Sequence, residues 1–181
     1  VSGLTGVVAI SSEFDHSMAL LEDGTVMAWG SDGEGQLGNG TVTDQWSPVA
    51  VSDLTGVVAI TAGNNYSMAR MEDGTVMAWG SNWSGQLGNG TTTNSSTPVA
   101  VSGLTGVVAI TGGSFYSMAL LEDGTVMAWG YNDYGQLGNG NTTDQWSPVA
   151  VSNLSDVALG LEGPDVDCAG VCGGDSVDDA C

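Results

Sequence analysis

His16 stands between Asp15 and Ser17, and these are the side-chain types from which a nucleophilic triad is built. Residues adjacent in sequence do not thereby converge in space, so the trio is a poor triad. The chain offers no substitute, with one histidine, one arginine, no lysine and three cysteines that all lie beyond residue 160. Catalysis needs a poised acid, base or nucleophile, and a non-enzymatic role is expected. Paired carboxylates recur at Glu22-Asp23, Glu72-Asp73 and Glu122-Asp123, but each pair runs into a glycine, and an Asp-Gly turn accounts for it without acid–base chemistry. No cofactor is expected, save that hard oxygen ligands gather near the carboxyl end at Asp165, Asp167, Asp175, Asp178 and Asp179, on a glycine-rich stretch that suits Ca²⁺. Cys168, Cys172 and Cys181 are disulfide candidates for an oxidising compartment, with Cys168–Cys172 or Cys172–Cys181 as the pairings and one thiol left to pair elsewhere. A stapled acidic spacer that binds no metal fits these residues equally. Zinc is disfavoured, because Cys-x3-Cys has no second matched pair and no histidine near it.

The elements that would position any site follow from a period of 50: Val1 to Ile10 returns as Val51 to Ile60 and as Val101 to Ile110. Residues 1–157 therefore divide into three repeats, 1–50, 51–100 and 101–150, and the start of a fourth, while residues 158–181 form a tail of different composition. Within the first repeat, Ser17 to Glu22 and Thr25 to Trp29 flank Asp23-Gly24, which predicts two antiparallel strands joined by a tight turn. Two further β-prone runs, Val7 to Ile10 and Pro48 to Val51, bring the count to about four strands per repeat. Met18, Leu20, Val26 and Ala28 mark one face of this sheet and Ala19, Leu21, Met27 and Trp29 the other, so both faces are apolar. A sheet buried on both faces, in a repeat without helical period, must stack between copies of itself. An all-β array of propeller blades is the expected fold.

Scaffold positions must fit a neighbouring blade and loop positions need not, so differences among the repeats point to function. They fall at 12–16, 32–34 and 41–47 and at the matching windows of the later repeats. These windows, with Tyr131 just ahead of one of them, place Phe14, Trp46, Trp83, Phe115, Tyr131, Tyr134 and Trp146 outside the predicted strands, among Asn, Asp and Ser, a composition typical of contact surfaces. All seven are candidate partner-binding residues, and Trp46 and Trp146 fit equally a role in sealing grooves between blades.

The string Ala28-Trp29-Gly30-Ser31, then Gly35-Gln36-Leu37-Gly38-Asn39-Gly40, preceded by Glu22-Asp23-Gly24-Thr25-Val26, occurs in register in all three repeats, with one change at the serine, Tyr131. It resembles the repeat of the regulator of chromosome condensation (RCC1-like) family. That resemblance implies four-stranded antiparallel blades, about three here, belonging to a ring that has seven blades in most relatives. It also raises an alternative function, guanine-nucleotide exchange or GTPase binding. The chain departs from the family where a histidine is usual, having His16, Tyr66 and Tyr116, and at Arg70, which replaces the apolar Leu20 and calls for a carboxylate partner or an exposed face. The tail resembles Asp-Cys-x-Gly-Val-Cys-Gly-Gly-Asp linkers of large bacterial surface proteins and, more remotely, thrombospondin type 3 calcium repeats.

A formal net charge of −20 repels phosphate backbones and anionic headgroups, so neither nucleic acid nor a membrane surface is an expected partner. The longest apolar runs are far shorter than a membrane span. The expectation is a binding or adhesion module, extracellular or at the cell surface and of bacterial type, that recognises a protein or a glycan through variable loops. Its uncovered blade faces would meet other blades of the same propeller or another copy of the chain.

Overall fold

The computed structural model describes residues 4–154. The tail, with its candidate calcium ligands and cysteines, lies outside the described residues. Twelve strands form three antiparallel sheets, each with its strands in chain order. Blade 1 comprises β1 (Val7–Glu13), β2 (His16–Leu21), β3 (Val26–Gly30) and β4 (Gln45–Ala50). Blade 2 comprises β5 (Val57–Gly63), β6 (Tyr66–Met71), β7 (Val76–Gly80) and β8 (Ser95–Ala100). Blade 3 comprises β9 (Val107–Gly112), β10 (Tyr116–Leu121), β11 (Val126–Gly130) and β12 (Gln145–Ala150).

The two apolar faces of each sheet do separate jobs. Met18, Leu20, Val26 and Ala28 of blade 1 pack against Ala69, Trp79, Met71 and Met77 of blade 2, and Leu37, Val51 and Leu54 close the same cluster. The next junction repeats the pattern, with Met68, Val76 and Ala78 against Ala119, Trp129, Leu121 and Met127. Blade 2 thus meets blade 1 with its leading face and blade 3 with its trailing face. The first strands approach each other most closely across blades, where the Ala62 N–H donates to Ser11 Oγ at 2.9 Å and the Gly112 N–H to Thr61 Oγ1 at 3.2 Å.

The hairpin between the second and third strands is wider than a two-residue turn. Leu20 pairs with Val26, and Glu22 to Thr25 form a loop closed by Leu21 N–H to the Thr25 carbonyl at 2.9 Å. Asp23 Oδ1 accepts the Thr25 N–H at 3.0 Å and the Thr25 hydroxyl at 2.6 Å, so the aspartate builds the turn through its side chain. The fourth strand bulges between Gln45, opposite Gly30, and Val49, opposite Ala28, which leaves Pro48 where a missing N–H costs no ladder bond.

Arg70 takes neither of its expected settings. Half-buried on the trailing face of blade 2, it donates from Nη1 to the Val107 carbonyl of blade 3 at 3.5 Å, and its buried Nε has no partner.

Candidate binding surface

The turns between first and second strands lie beside the long loops that leave the third strands. Backbone bonds join them in each blade: Ser31 N–H to the Asp15 carbonyl at 2.9 Å, Ser81 to Asn65 at 2.8 Å, and Tyr131 to Phe115 at 2.9 Å. Two of the variable windows therefore share one end of every blade. At blade 3 that end carries an aromatic cluster, with Phe115 and Tyr131 edge to face at 6.4 Å between centroids and Tyr131 and Tyr134 at 6.2 Å. Such edge-on pairs favour each other beyond the area they cover, yet Tyr134 remains 87% exposed. The Tyr131 hydroxyl donates to Asp133 Oδ2 at 3.0 Å, and that carboxylate, more than any burial, raises the phenol above its ordinary pKa.

Trp83, 70% exposed, belongs to the same end of blade 2. Its indole N–H reaches back across the junction to Glu34 Oε2 of blade 1 at 3.4 Å, and the Asn94 side-chain amide donates to the same oxygen. Glu34 fixes the ring's polar edge and leaves its face to solvent. Glu34 is a residue that sequence reasoning did not single out, although it falls in a variable window. Phe14, 75% exposed, occupies the blade 1 turn with φ of 53°, a left-handed conformation uncommon for a bulky side chain.

Trp46 and Trp146, expected outside the strands, lie inside β4 and β12, because the fourth strand starts at Gln45 and Gln145, ahead of the β-prone run that the sequence marks. Gly85 of blade 2 lies so close to Trp146 that an added Cβ would sit 2.6 Å from the ring, and the Gly90 N–H donates to the Trp146 carbonyl at 2.8 Å. Half-exposed Trp146 thus packs at the blade 2–3 junction. Trp46 holds the equivalent position at the leading edge of blade 1 and is 95% exposed.

His16 is buried at the blade 1–2 junction and faces Ser67, not Ser17 beside it, with Nε2 2.9 Å from Ser67 Oγ. Ser67 Oγ also lies 2.9 Å from the Gln36 carbonyl, so its single proton serves either that carbonyl or His16 Nε2, and buried Nδ1 has no hydrogen-bond partner. Burial lowers this histidine from 6.5 to about 4, against a weaker opposing pull from the Glu13 backbone. Histidine, serine and carbonyl thus form a buried hydrogen-bonded chain across the junction. At the next junction Tyr66 replaces His16: Ser117 Oγ lies 3.0 Å from its hydroxyl and 2.8 Å from the Gln86 carbonyl.

Among the described residues, no three His, Cys, Asp or Glu side chains converge as a metal site. No helix among them is long and apolar enough to cross a membrane.

The family described as "Regulator of chromosome condensation (RCC1) repeat" matches residues 23–70, 73–120 and 123–176, and a second family of that description matches residues 7–36, 57–86 and 107–136. No curated protein sequence matches the chain. Among solved structures, human WBSCR16 is similar with a TM-score of 0.77 and 27% identity, over 86% of this chain and 42% of that one. A structure of Kap60 bound to yeast RCC1 (Prp20) gives a TM-score of 0.72 at 21% identity, over 87% of this chain and 38% of that one. Prp20p from Saccharomyces cerevisiae, described with its binding properties to Gsp1p and histones, gives 0.71 at 22% identity, over 87% and 40%. The chain therefore spans about two-fifths of the length of these proteins.

Proposed function

Because the chain belongs to the family of regulator of chromosome condensation (RCC1) repeats, we propose that it is a non-catalytic binding module whose partner is a protein that meets the aromatic end of the blades. Fold alone does not assign a role, so the reading rests on the site. The observation that carries it is the aromatic cluster of exposed Phe115 and Tyr134 around half-buried Tyr131, with Trp83 one blade away, in a chain of net charge −20. Rings held edge to face outside the core offer apolar area that folding does not use. Carboxylates stand beside them, Glu34 at Trp83 and Asp133 at Tyr131. Arginine and lysine side chains of a basic segment would lie over such ring faces and meet these carboxylates. That the yeast relatives are described with protein partners, Kap60 in one case and Gsp1p and histones in the other, supports a protein over a glycan.

The test titrates the protein with Lys- and Arg-rich peptides and, separately, with oligosaccharides, comparing wild type with Trp83→Ala and with the triple change Phe115→Ala, Tyr131→Ala, Tyr134→Ala. Peptide binding is expected to weaken about tenfold or more in the triple variant and to fall with added salt. Sugar binding that is lost in the same variants would transfer the site to a glycan. Binding unchanged by every substitution would remove the site altogether.

A second reading, nucleotide exchange or GTPase binding, draws support from the family and from the pairing of Prp20p with Gsp1p. It requires accelerated release of labelled GDP from a GTPase when the chain is added. An extracellular or cell-surface location is part of the first proposal, supported by the acidity and by the cysteines at 168, 172 and 181. Free-thiol counting after export distinguishes stapled from reduced tails.

A further inference from the structure

Where two blades meet, the Gly-Gln-Leu-Gly loop of one is a bed for side chains of the next. A Cβ added to Gly38 would sit 2.6 Å from Trp79 Nε1, and one on Gly88 2.6 Å from Trp129 Nε1. Gly35 lies in the same way against Ser96 and Gly85 against Trp146, at 2.7 and 2.6 Å. The Gly40 and Gly90 N–H groups bond the carbonyls of those two residues at 2.9 and 2.8 Å. Blade 3 builds the same bed, with Leu137 fully buried and its N–H on Asn132 Oδ1 at 3.0 Å. Nothing fills it among the described residues. A Cβ on Gly138 would meet Val151 alone, and one on Gly135 only the Asn141 carbonyl at 3.9 Å. Gly138 is exposed where Gly38 and Gly88 are buried. No indole of a following blade reaches the Gln136 carbonyl, as Trp79 and Trp129 reach Gln36 and Gln86.

Blade 1 has the converse set of side chains without a bed. Trp29 is partly exposed, whereas its counterparts Trp79 and Trp129 are fully buried, and Ser17 differs from Ser67 and Ser117 in the same way. Trp46 is 95% exposed against 52% for Trp146. Ile10 is 78% exposed, although its counterpart Ile60 packs into the blade 1–2 cluster. The two open faces match in sequence as well. Met118, Leu120, Val126 and Leu137 repeat Met18, Leu20, Val26 and Leu37, and Ala19, Leu21, Met27 and Trp29 repeat Ala69, Met71, Met77 and Trp79 with one apolar exchange.

We propose that the trailing face of blade 3 docks onto the leading face of blade 1 in a second copy of the chain, head to tail. The occupant follows from continuity with the two junctions inside the chain, because blade 1 carries what fills the bed of blade 2, the tryptophan at the fourth strand included. Trp29 of the second copy lies over Gly138 with its N–H on the Gln136 carbonyl, Trp46 lies over Gly135, and Ile10 covers the groove of Met118, Leu120 and Val126. Two different surfaces meet, so the contact is heterologous and not self-complementary about a two-fold axis. Trp46 is then a contact between copies and stands apart from the aromatic end assigned above to a protein partner. The association buries apolar area between chains of like charge, so added salt strengthens it.

The test follows the mass of the full chain by light scattering and sedimentation, with Ile10→Lys, Leu120→Lys and Trp46→Ala as variants. Wild type is expected to gain mass with concentration, and more readily as salt is added. Either lysine variant alone should remain a monomer, because every copy then lacks one of the two faces. An equimolar mixture of the two should form a one-to-one complex that grows no further, since each supplies the face that the other has lost. Trp46→Ala should keep the melting temperature of the monomer and weaken association about tenfold or more. Association that persists in one lysine variant alone would mean that like faces meet, and it overturns the proposal. Monomers of wild type at every concentration overturn it too, whether residues after 154 take the bed or it stays bare. So does association that all three substitutions leave unchanged. Should a lysine variant melt below wild type, the comparison with Trp46→Ala decides.

Discussion

His16 makes the blade 1–2 junction sensitive to acid. Its folded pKa of about 4 lies below the 6.5 of an ordinary histidine, so the unfolded chain binds the extra proton as pH falls. Stability contributed by the neutral imidazole is therefore complete above pH 6.5, is lost progressively toward pH 4 and is constant below it; the gap corresponds to about 3 kcal/mol. Urea midpoints measured from pH 7 to pH 4.5 should fall more steeply for wild type than for His16→Tyr, which installs the residue of blade 2. Equal slopes would show that the junction tolerates the charge. Phe14 yields a second prediction. Its left-handed backbone at φ 53° carries an exposed ring, and Phe14→Asn should raise stability by about 1 kcal/mol in thermal melts. If the ring contacts the partner, binding weakens while stability rises, which separates the two roles. Sequence comparison exposed the aromatic positions because they vary between otherwise matching repeats. It could not connect Trp83 to Glu34, or His16 to Ser67, since those pairs stand 49 and 51 residues apart and meet only when blades stack.

At the scale of the element, the Gly-Gln-Leu-Gly loop acts as a latch. The Gln36 carbonyl of blade 1 accepts the Trp79 indole N–H of blade 2 and lies beside Ser67 Oγ, both at 2.9 Å, and the Gln86 carbonyl has Trp129 and Ser117 of blade 3 at 2.9 and 2.8 Å. Leu37 is fully buried beside Trp79 in the same cluster. Leu37→Ala should cost about 3 kcal/mol in chemical denaturation. Gly88→Ala should also destabilise, because φ is +65° and the new carbon would sit 2.6 Å from the Trp129 nitrogen. A silent Gly88→Ala would mean that the loop is not clamped on the tryptophan. The hairpins, the strand count and the two apolar faces were legible in the sequence, because turn residues and alternation report them locally. The latch was not, since a period shows that a loop recurs but not which blade it covers. The turn at Asp23-Gly24 came out longer than two residues because the Asp23 side chain, invisible to the pattern, supplies part of the ring of bonds.

Across the whole molecule, two junctions are complete and two apolar faces are open among the described residues. Met118, Leu120 and Val126 line a groove on the trailing face of blade 3, where Met18, Leu20 and Val26 are buried in blade 1. Val7, Val8 and Ile10 are exposed on blade 1, whereas Val57 and Val107 of the later blades are buried. The isolated chain should therefore associate with rising concentration in light scattering, and Leu120→Lys should reduce that association. A monomer at every concentration would show that these faces do not pair. Repeat number was readable from the period. The number of blades that would close a ring was not, because each junction depends only on its two neighbours.

The latch has a direction, with the accepting carbonyl on one unit and the indole donor on the next. Every 50-residue unit thus carries both halves of its own connector. Recombination between the nearly identical stretches of the gene, if it slips by one full period, adds or deletes a unit and leaves each remaining connector matched. Such a lineage can change its length in whole steps without inventing a new contact, and its diversity is free to accumulate in the loops that no connector uses.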